Sequence, residues 1–300
     1  MKPLIFGSAV IDEILYINTL PESGDDVECT LRKTSLGGCA YNTACMLRNL
    51  NIPHDLCTPI GTGDYAAEIE KRLHENGYNT MIKDLEKDNG HCICLVESDG
   101  ERSFITINGV EIEIKKEWLE NINTEEYSSI CINGYQVCRE SGDIVVSWLE
   151  EKWRNKKIFF APGPQINDIS EDIMKRILSL SPIMHINEKE AIEFTKENTI
   201  EKAIQEIYKI TSNTVIVTIG FDGAMYIENG KISKVDGFKT EAVDTIGAGD
   251  GHIGAVIAGV ESGLSIHDSI VLANKVASEI IKVSGAVISY DEFKKLGINI

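Results

Sequence analysis

Apolar runs bounded by turn residues alternate along the chain with segments whose apolar positions recur at three- and four-residue spacing. Pro3 to Val10, Asp55 to Ile60, Ser129 to Asn133, Lys157 to Ala161, Ile183 to Ile186 and Val215 to Ile219 read as strands. Ala40, Thr43, Ala44 and Leu47 mark a helix face, as do Tyr65, Ile69 and Leu73, and again Ile144, Val145, Trp148 and Leu149. Two more faces are carried by Ile173, Met174, Ile177 and Leu178, and by Ile200, Ala203, Ile204 and Ile207. This order predicts an α/β fold, a doubly wound, mostly parallel sheet with helices on both faces. Two stretches break the rhythm. Glu13 to Leu36 holds strand-like runs at Ile14 to Ile17 and Val27 to Arg32, and His91 to Asn108 reads as a hairpin turning at Asp99-Gly100. The two insertions, about 13–36 and 91–108, are expected to form a small antiparallel β lid on a single domain spanning 1–300.

The last strongly periodic segment carries Ile253, Val256, Ile257 and Val260, which predicts a helix with one buried face from about Asp250 to Gly263. Asp244-Thr245-Ile246-Gly247-Ala248-Gly249-Asp250 leads into it. A helix start has unpaired N–H groups and a partial positive charge, and small residues let those groups close around an anion. A carboxylate at Asp250 can then accept the proton of an attacking hydroxyl while the N–H groups stabilise a transferring phosphoryl group. The helix field is expected to lower the Asp250 pKa. The plainer reading of Asp250 is a helix cap after a glycine turn.

Composition narrows the partners. A chain of 300 residues with 43% hydrophobic content can bury a large core, and its formal charge of -18 disfavours nucleic acid and anionic membranes. Asp12 and Glu13 interrupt the apolar N-terminal stretch, so neither a secretory leader nor a membrane span is expected, and a cytoplasmic location is. The eight cysteines show no C-x-x-C pair and read as reduced, small hydrophobic residues.

Gly37-Gly38-Cys39-Ala40-Tyr41-Asn42-Thr43-Ala44 sets paired glycines before a helix, with the Asn42 amide expected in its exposed first turn. Upstream, Gly7 to Asp12 leaves a strand and ends in a carboxylate able to accept two hydroxyl hydrogens. With the Asp244–Asp250 loop, these residues resemble the ribokinase-like carbohydrate kinases, the PfkB family, along the whole chain. The resemblance implies ATP-dependent phosphorylation of a hydroxyl, with Asp250 as general base and the N–H groups of Gly247, Ala248, Gly249 and Asp250 as anion hole. It implies that Asp12, Gly38 and Asn42 bind the substrate hydroxyls, and that Asn187 and Glu190 orient Mg²⁺ and phosphate through water. It further places Thr218, Gly220, Gly223 and Asn274 around the nucleotide. A monovalent cation, K⁺, is implied behind the anion hole at Asp244, Ile246, Gly285 and Ser289.

Each of these residues also has a structural reading. Asn187-x-x-Glu190 is a capping box, Asp222-Gly223 a hairpin turn, and Asn274 an exposed helix residue. Gly251 and His252 depart from the Ala and Phe more usual in the family; Gly251 is expected to loosen the helix start and His252 to pack. Gly249 to Gly254 also fits G-x-G-x-x-G, but a second helix follows where a dinucleotide fold needs a strand. The substrate reading favours a small free sugar phosphorylated on a primary hydroxyl. A nucleoside would use Tyr16, Tyr41 and Phe104 for stacking, and a phosphorylated sugar would call on Arg32, Lys33 or Arg102. A non-catalytic sensor on the same scaffold is the reading of a different class. Apolar Ile93, Leu95, Phe104 and Ile107 in the lid predict a homodimer through it.

Overall fold

The computed structural model describes residues 1–300. In chain order its first elements are β1 (Lys2–Phe6), β2 (Val10–Tyr16), β3 (Leu31–Gly37), α1 (Cys39–Asn49), β4 (Asp55–Cys57), β5 (Pro59–Ile60), α2 (Asp64–Glu75) and β6 (Ile82–Lys83). There follow β7 (His91–Val96), β8 (Arg102–Ile107), α3 (Lys116–Glu120), β9 (Tyr127–Asn133), α4 (Gly142–Lys152), β10 (Lys157–Ala161), α5 (Glu171–Leu178) and β11 (Ile183–Asn187). The chain ends with α6 (Glu188–Thr195), α7 (Ile200–Thr211), β12 (Val215–Thr218), β13 (Ala224–Glu228), β14 (Lys231–Val235), α8 (Ala248–Glu261), α9 (Ile266–Ile280) and α10 (Tyr290–Lys295).

The central sheet has the order β14-β13-β12-β11-β10-β9-β1-β4, parallel from β12 to β4 and antiparallel at β13 and β14. Its parallel strands are buried on both faces, which is why they read as unbroken apolar runs. One face packs against α1, α8 and α9 through residues such as Leu47, Val256 and Ala273. The other packs against α4, α5 and α7 through Leu149, Ile177 and Ile207. From β1 the chain goes to β4 on one side and later to β9 on the other. Strand order therefore reverses between β1 and β9, where the carboxyl ends of parallel strands leave a crevice.

The lid is a four-stranded sheet, β3-β2-β7-β8. Its two hairpins, β2–β3 and β7–β8, are antiparallel and join side by side through a parallel β2–β7 pairing. The hairpin turning at Asp99-Gly100 matches the sequence reading. The first insertion is shifted: the strands are Val10–Tyr16 and Leu31–Gly37, while Val27 lies in an exposed loop. β3 reads LRKTSLG and is exposed over its first four residues, so it has no apolar run to detect. The run Pro3 to Val10 likewise divides, β1 ending at Phe6 and the lid beginning at Val10. α3, β6, β14 and α10 were not expected as elements, while α6 and β13 were expected only through the capping-box and hairpin-turn readings.

α8 also differs from its prediction. Residues Gly251 to Gly259 are all buried, since the helix is wedged between α1 and α9. Gly251 faces Ile280, whose Cδ1 would lie 2.0 Å from an added Cβ, so its glycine serves close helix packing. No helix is long and apolar enough to cross a membrane.

Candidate active site

Three adjoining cavities run along the carboxyl edge of the sheet. The first, about 250 Å³, lies under the lid and includes Asp12, Gly38, Asn42, Arg102 and Asp250. The second, about 220 Å³, holds Asn187, Glu190, Gly247, Gly249 and Asp250. The third, about 200 Å³, holds Thr218, Gly220, Gly223, Phe238, Gly249 and Asn274. Asp250 borders the first and second; Thr218 and Gly249 border the second and third. Residues separated by most of the chain are thus strung along one path, with Asp250 where its first two chambers meet.

Gly38 begins α1 at φ 98°, and a side chain there would press on the Ser8 carbonyl oxygen at 2.6 Å. This close approach of β1's exit to α1 brings Asn42 inward; it is buried, not exposed as its sequence context implied. Asn42 Nδ2 donates to Asp250 Oδ2 at 2.9 Å, while its Oδ1 is buried without a partner beside the lid cavity. Asp12 reaches the cavity from β2, where it pairs with Ser35, and its carboxylate lies diagonally over Gly37, at which any Cβ would come within 2.1 Å of it. Burial, with the nearby Asp250 charge, pushes the Asp12 pKa up to about 6.

Asp250 is pushed the same way. Burial raises its pKa to about 6, although hydrogen bonds from Asn42 and Cys39 pull it down. The expected lowering by the helix field is therefore reversed: desolvation by α1 and the lid outweighs the partial charge of one helix end. The loop before it is held open. Gly247 caps α8 at φ 76°, and the N–H groups of Gly247, Gly249 and Asp250 have no partner within the chain. Ala248 N–H donates to the Thr245 carbonyl at a long 3.3 Å.

Across the second cavity, Asn187 and Glu190 do form the capping box. Asn187 Oδ1 accepts the Glu190 N–H at 2.8 Å, and Glu190 Oε2 accepts the Asn187 N–H at 3.1 Å. Burial raises the Glu190 pKa. The pair also lines the cavity that contains Asp250, so the cap and a ligand role are compatible. The buried, unpaired Oδ1 of Asn133 lines the same cavity. No cluster of three or more metal-ligating side chains occurs, so a divalent ion here would take most of its ligands from phosphate and water.

At the far end, Thr218 ends β12 and Gly220 and Gly223 form the hairpin turn into β13. Asn274 is buried, contrary to its exposed-helix reading. Its Nδ2 donates to the Val235 and Asp236 carbonyls, at 3.1 and 3.2 Å, leaving Oδ1 to accept from His252 Nε2 at 3.0 Å. His252 Nδ1 must then accept from His185 Nε2 at 2.8 Å. Burial lowers both histidine pKa values, that of His252 to about 4, so the chain of hydrogen bonds is neutral. His252 packs, as expected, but through a polar relay that braces the nucleotide-side wall.

Of the four positions assigned to a monovalent cation, Asp244, Ile246 and Gly285 are drawn together by hydrogen bonds, and the side chains of Asp244 and Ser289 already have partners. The buried Asp244 carboxylate accepts from the Arg102 guanidinium, from Ile246 N–H at 3.0 Å and from Gly285 N–H at 2.7 Å. Ser289 caps α10, accepting the Glu292 N–H at 3.3 Å. Of the cations considered for a phosphorylated substrate, Arg32 pairs with Glu13 and Lys33 lies over Tyr16; only Arg102 lines the cavity. Tyr16 and Phe104 line it too, whereas Tyr41 is buried against Tyr78. Sequence reasoning missed Asn133 and Glu111, which line the second and first cavities, and the Cys39 contact with Asp250. Asn133-Gly134 at the end of an apolar strand was the available signal, since polar residues at such strand ends face the crevice.

A family model described as pfkB family carbohydrate kinase matches residues 3–292. An uncharacterized sugar kinase of Escherichia coli (strain K12), YegV, is 36% identical over 286 residues, covering 93% of this chain and 88% of its own. The fold matches a crystal structure of ribokinase from Thermotoga maritima, with a TM-score of 0.86 at 21% identity and full coverage of both chains. It also matches a Burkholderia thailandensis nucleoside kinase in complex with inosine, with a TM-score of 0.78 at 17% identity over 98% of this chain and 95% of that one.

Proposed function

The chain belongs to the pfkB family of carbohydrate kinases, phosphotransferases with an alcohol group as acceptor, and we propose that it moves the γ-phosphoryl group of ATP onto a primary hydroxyl of a small, uncharged sugar. The observation that supports this most is the position of Asp250 between the lid cavity and the cavity of Asn187 and Glu190. In this reading Asp12, the Asn42 Oδ1 and the backbone beside Gly38 hold the sugar hydroxyls. Ionised Asp250 takes the proton of the attacking hydroxyl as its oxygen bonds to the γ-phosphorus and the bond to ADP breaks. The free N–H groups of Gly247, Gly249 and Asp250, with Ala248, receive the charge on the phosphoryl oxygens. A pKa near 6 suits this role: the carboxylate is ionised at neutral pH yet more basic than a solvated one.

Glu190 and Asn187 would hold Mg²⁺ through water, and the ion would supply neutralisation of phosphate charge. The hydroxyl of Thr218 and the backbone at Gly220 and Gly223 would meet phosphates and ribose, with Phe221 and Phe238 available to the base. Asn274 has committed both amide hydrogens to backbone, so its part is to hold the wall beside the base. An uncharged sugar is favoured because Asp12, Glu111, Asp244 and Asp250 line the lid cavity against a single guanidinium. A nucleoside is the second reading, supported by the Tyr16 and Phe104 rings in the same cavity. ATP turnover with a panel of free sugars, sugar phosphates and nucleosides separates these; the proposal expects a neutral pentose or hexose to give the highest kcat/KM. If no sugar or nucleoside raised ATP turnover above background, the sensor reading would replace it.

We propose a single unit over 1–300, acting as a homodimer through its lid. Arg102, Phe104 and Thr106 face the cavity, while Ile105 and Ile107 alternate to the other face of the exposed edge strand β8. Ile105 is 53% exposed, an apolar side chain on an unpaired edge that a second copy would cover. Light scattering is expected to give a dimer mass for the wild type and a monomer mass for Ile105→Lys. A monomer for the wild type at micromolar concentration removes the dimer.

A further inference from the structure

Arg102 and Asp244 form a contact unlike the other ion pairs of the protein. It joins the lid strand β8 to the turn that leads into α8, across 142 residues of sequence, and the Asp244 side chain is only 2% exposed. We propose, resting on the kinase reading of the 244–250 loop, that Arg102 is a built-in counter-cation: the lid, not a bound potassium ion, neutralises Asp244 and so shapes the anion hole.

The two side chains assigned to a potassium site are already committed to partners of the protein. A buried carboxylate needs its lone pairs and charge satisfied, and here two backbone N–H groups and a guanidinium do so. Burial alone would raise the Asp244 pKa; Arg102 and the N–H groups of Gly285 and Ile246 instead hold it below the usual carboxylate range. The Ser289 hydroxyl is occupied on both sides by Glu292, accepting from its N–H and donating to its carboxylate.

The placement of the pair gives it a consequence for the reaction. Asp244 grips Ile246, the residue before the left-handed Gly247, and Gly285, the residue before Ala286. A Cβ on Gly247 would lie 2.0 Å from the Ala286 carbonyl oxygen, so Asp244 fixes both walls of the turn that presents the free N–H groups. Arg102 sits on the same face of β8 as Phe104 and Thr106, which line the sugar cavity, and its Nε is buried without a partner. Lid closure over substrate and charge balance at the catalytic turn thereby depend on one side chain. Arg102 is a positioning residue for the anion hole, with an Nε–H left to meet a substrate oxygen.

Cation dependence is a readout that a merely structural arginine would not move. Binding of the non-hydrolysable ATP analogue AMP-PCP with MgCl₂ is measured by calorimetry in KCl and in choline chloride at equal ionic strength, alongside melting temperature without nucleotide. Wild type is expected to give the same Kd and melting temperature in both salts. Arg102→Gln is expected to bind about tenfold more weakly in choline chloride, with KCl or millimolar guanidinium restoring affinity, and Arg102→Lys to stay indifferent to the salt. A wild type whose Kd or melting temperature worsens without potassium overturns the proposal even if the variants fail to fold, as does an Arg102→Gln protein indifferent to the salt. If wild type binds no AMP-PCP in either salt, the kinase reading of the loop falls and takes the proposal with it.

Discussion

Asp250→Asn is expected to lower kcat by about a thousandfold while raising the melting temperature at pH 7.5. The loss follows from removing the only carboxylate shared by the lid cavity and the cavity beside the glycine turn. The gain follows from linkage. The Asp250 pKa rises on folding from 3.8 to about 6, so the folded state binds more protons than the unfolded chain between those values. Relative to its protonated form, the ionised side chain destabilises the fold increasingly as pH climbs through that window, by up to about 3 kcal/mol above it. Asparagine removes that penalty and keeps a group that Asn42 can hydrogen-bond. The stabilisation should shrink as pH falls toward 4, which calorimetry across pH 4–8 checks. Asp12 titrates in the same range, so wild-type kcat/KM is expected to fall below about pH 6 more steeply than one ionisation allows. An active, unstabilised Asp250→Asn protein would refute the base assignment and its electrostatics together.

Gly247→Ala and Gly249→Ala are expected to fail in different ways. Gly247 holds φ 76° against the Ala286 carbonyl, so an added Cβ brings left-handed strain and a clash that only movement of the turn can relieve. The melting temperature should fall, and kcat should drop by about a hundredfold as the N–H groups shift away from the phosphoryl oxygens. Gly249 is helical, and nothing lies within 4 Å of the place its Cβ would occupy. Alanine there fits the helix and should leave stability equal or slightly higher. The methyl would project toward the space proposed for the phosphates, so ATP binding should weaken. Equal stability losses in the two variants would contradict this account of the turn.

The main sheet was legible because parallel strands covered on both faces must be apolar throughout, as in Ile158, Phe159 and Phe160 or Val215, Ile216 and Val217. The lid was legible where chemistry is local, at the Asp99-Gly100 turn, and shifted where it is not: β3 is polar, and its place is set by pairing with β2. Glycines at 37, 38, 247 and 249, with Asn42 and the carboxylates of Asp244 and Asp250, marked the site because backbone approach and anion binding demand those residue types at close spacing. Pairings over long separations left no local trace. Asn42 meets Asp250 across 208 residues, and His185 meets His252 across 67. The Asp250 pKa was misread for the same reason: the helix field is visible in sequence, whereas burial under α1 and the lid is tertiary.

The central claim is that the γ-phosphate of ATP comes to rest between Asp250 and the open N–H groups of the glycine turn. A crystal structure with AMP-PCP, Mg²⁺ and the sugar selected by the turnover panel measures this directly. The account predicts γ-phosphate oxygens within hydrogen-bonding distance of the Gly249 and Asp250 N–H groups and a sugar hydroxyl between Asp250 and the γ-phosphorus. A triphosphate lying elsewhere, or a sugar whose hydroxyls all point away from Asp250, would contradict it.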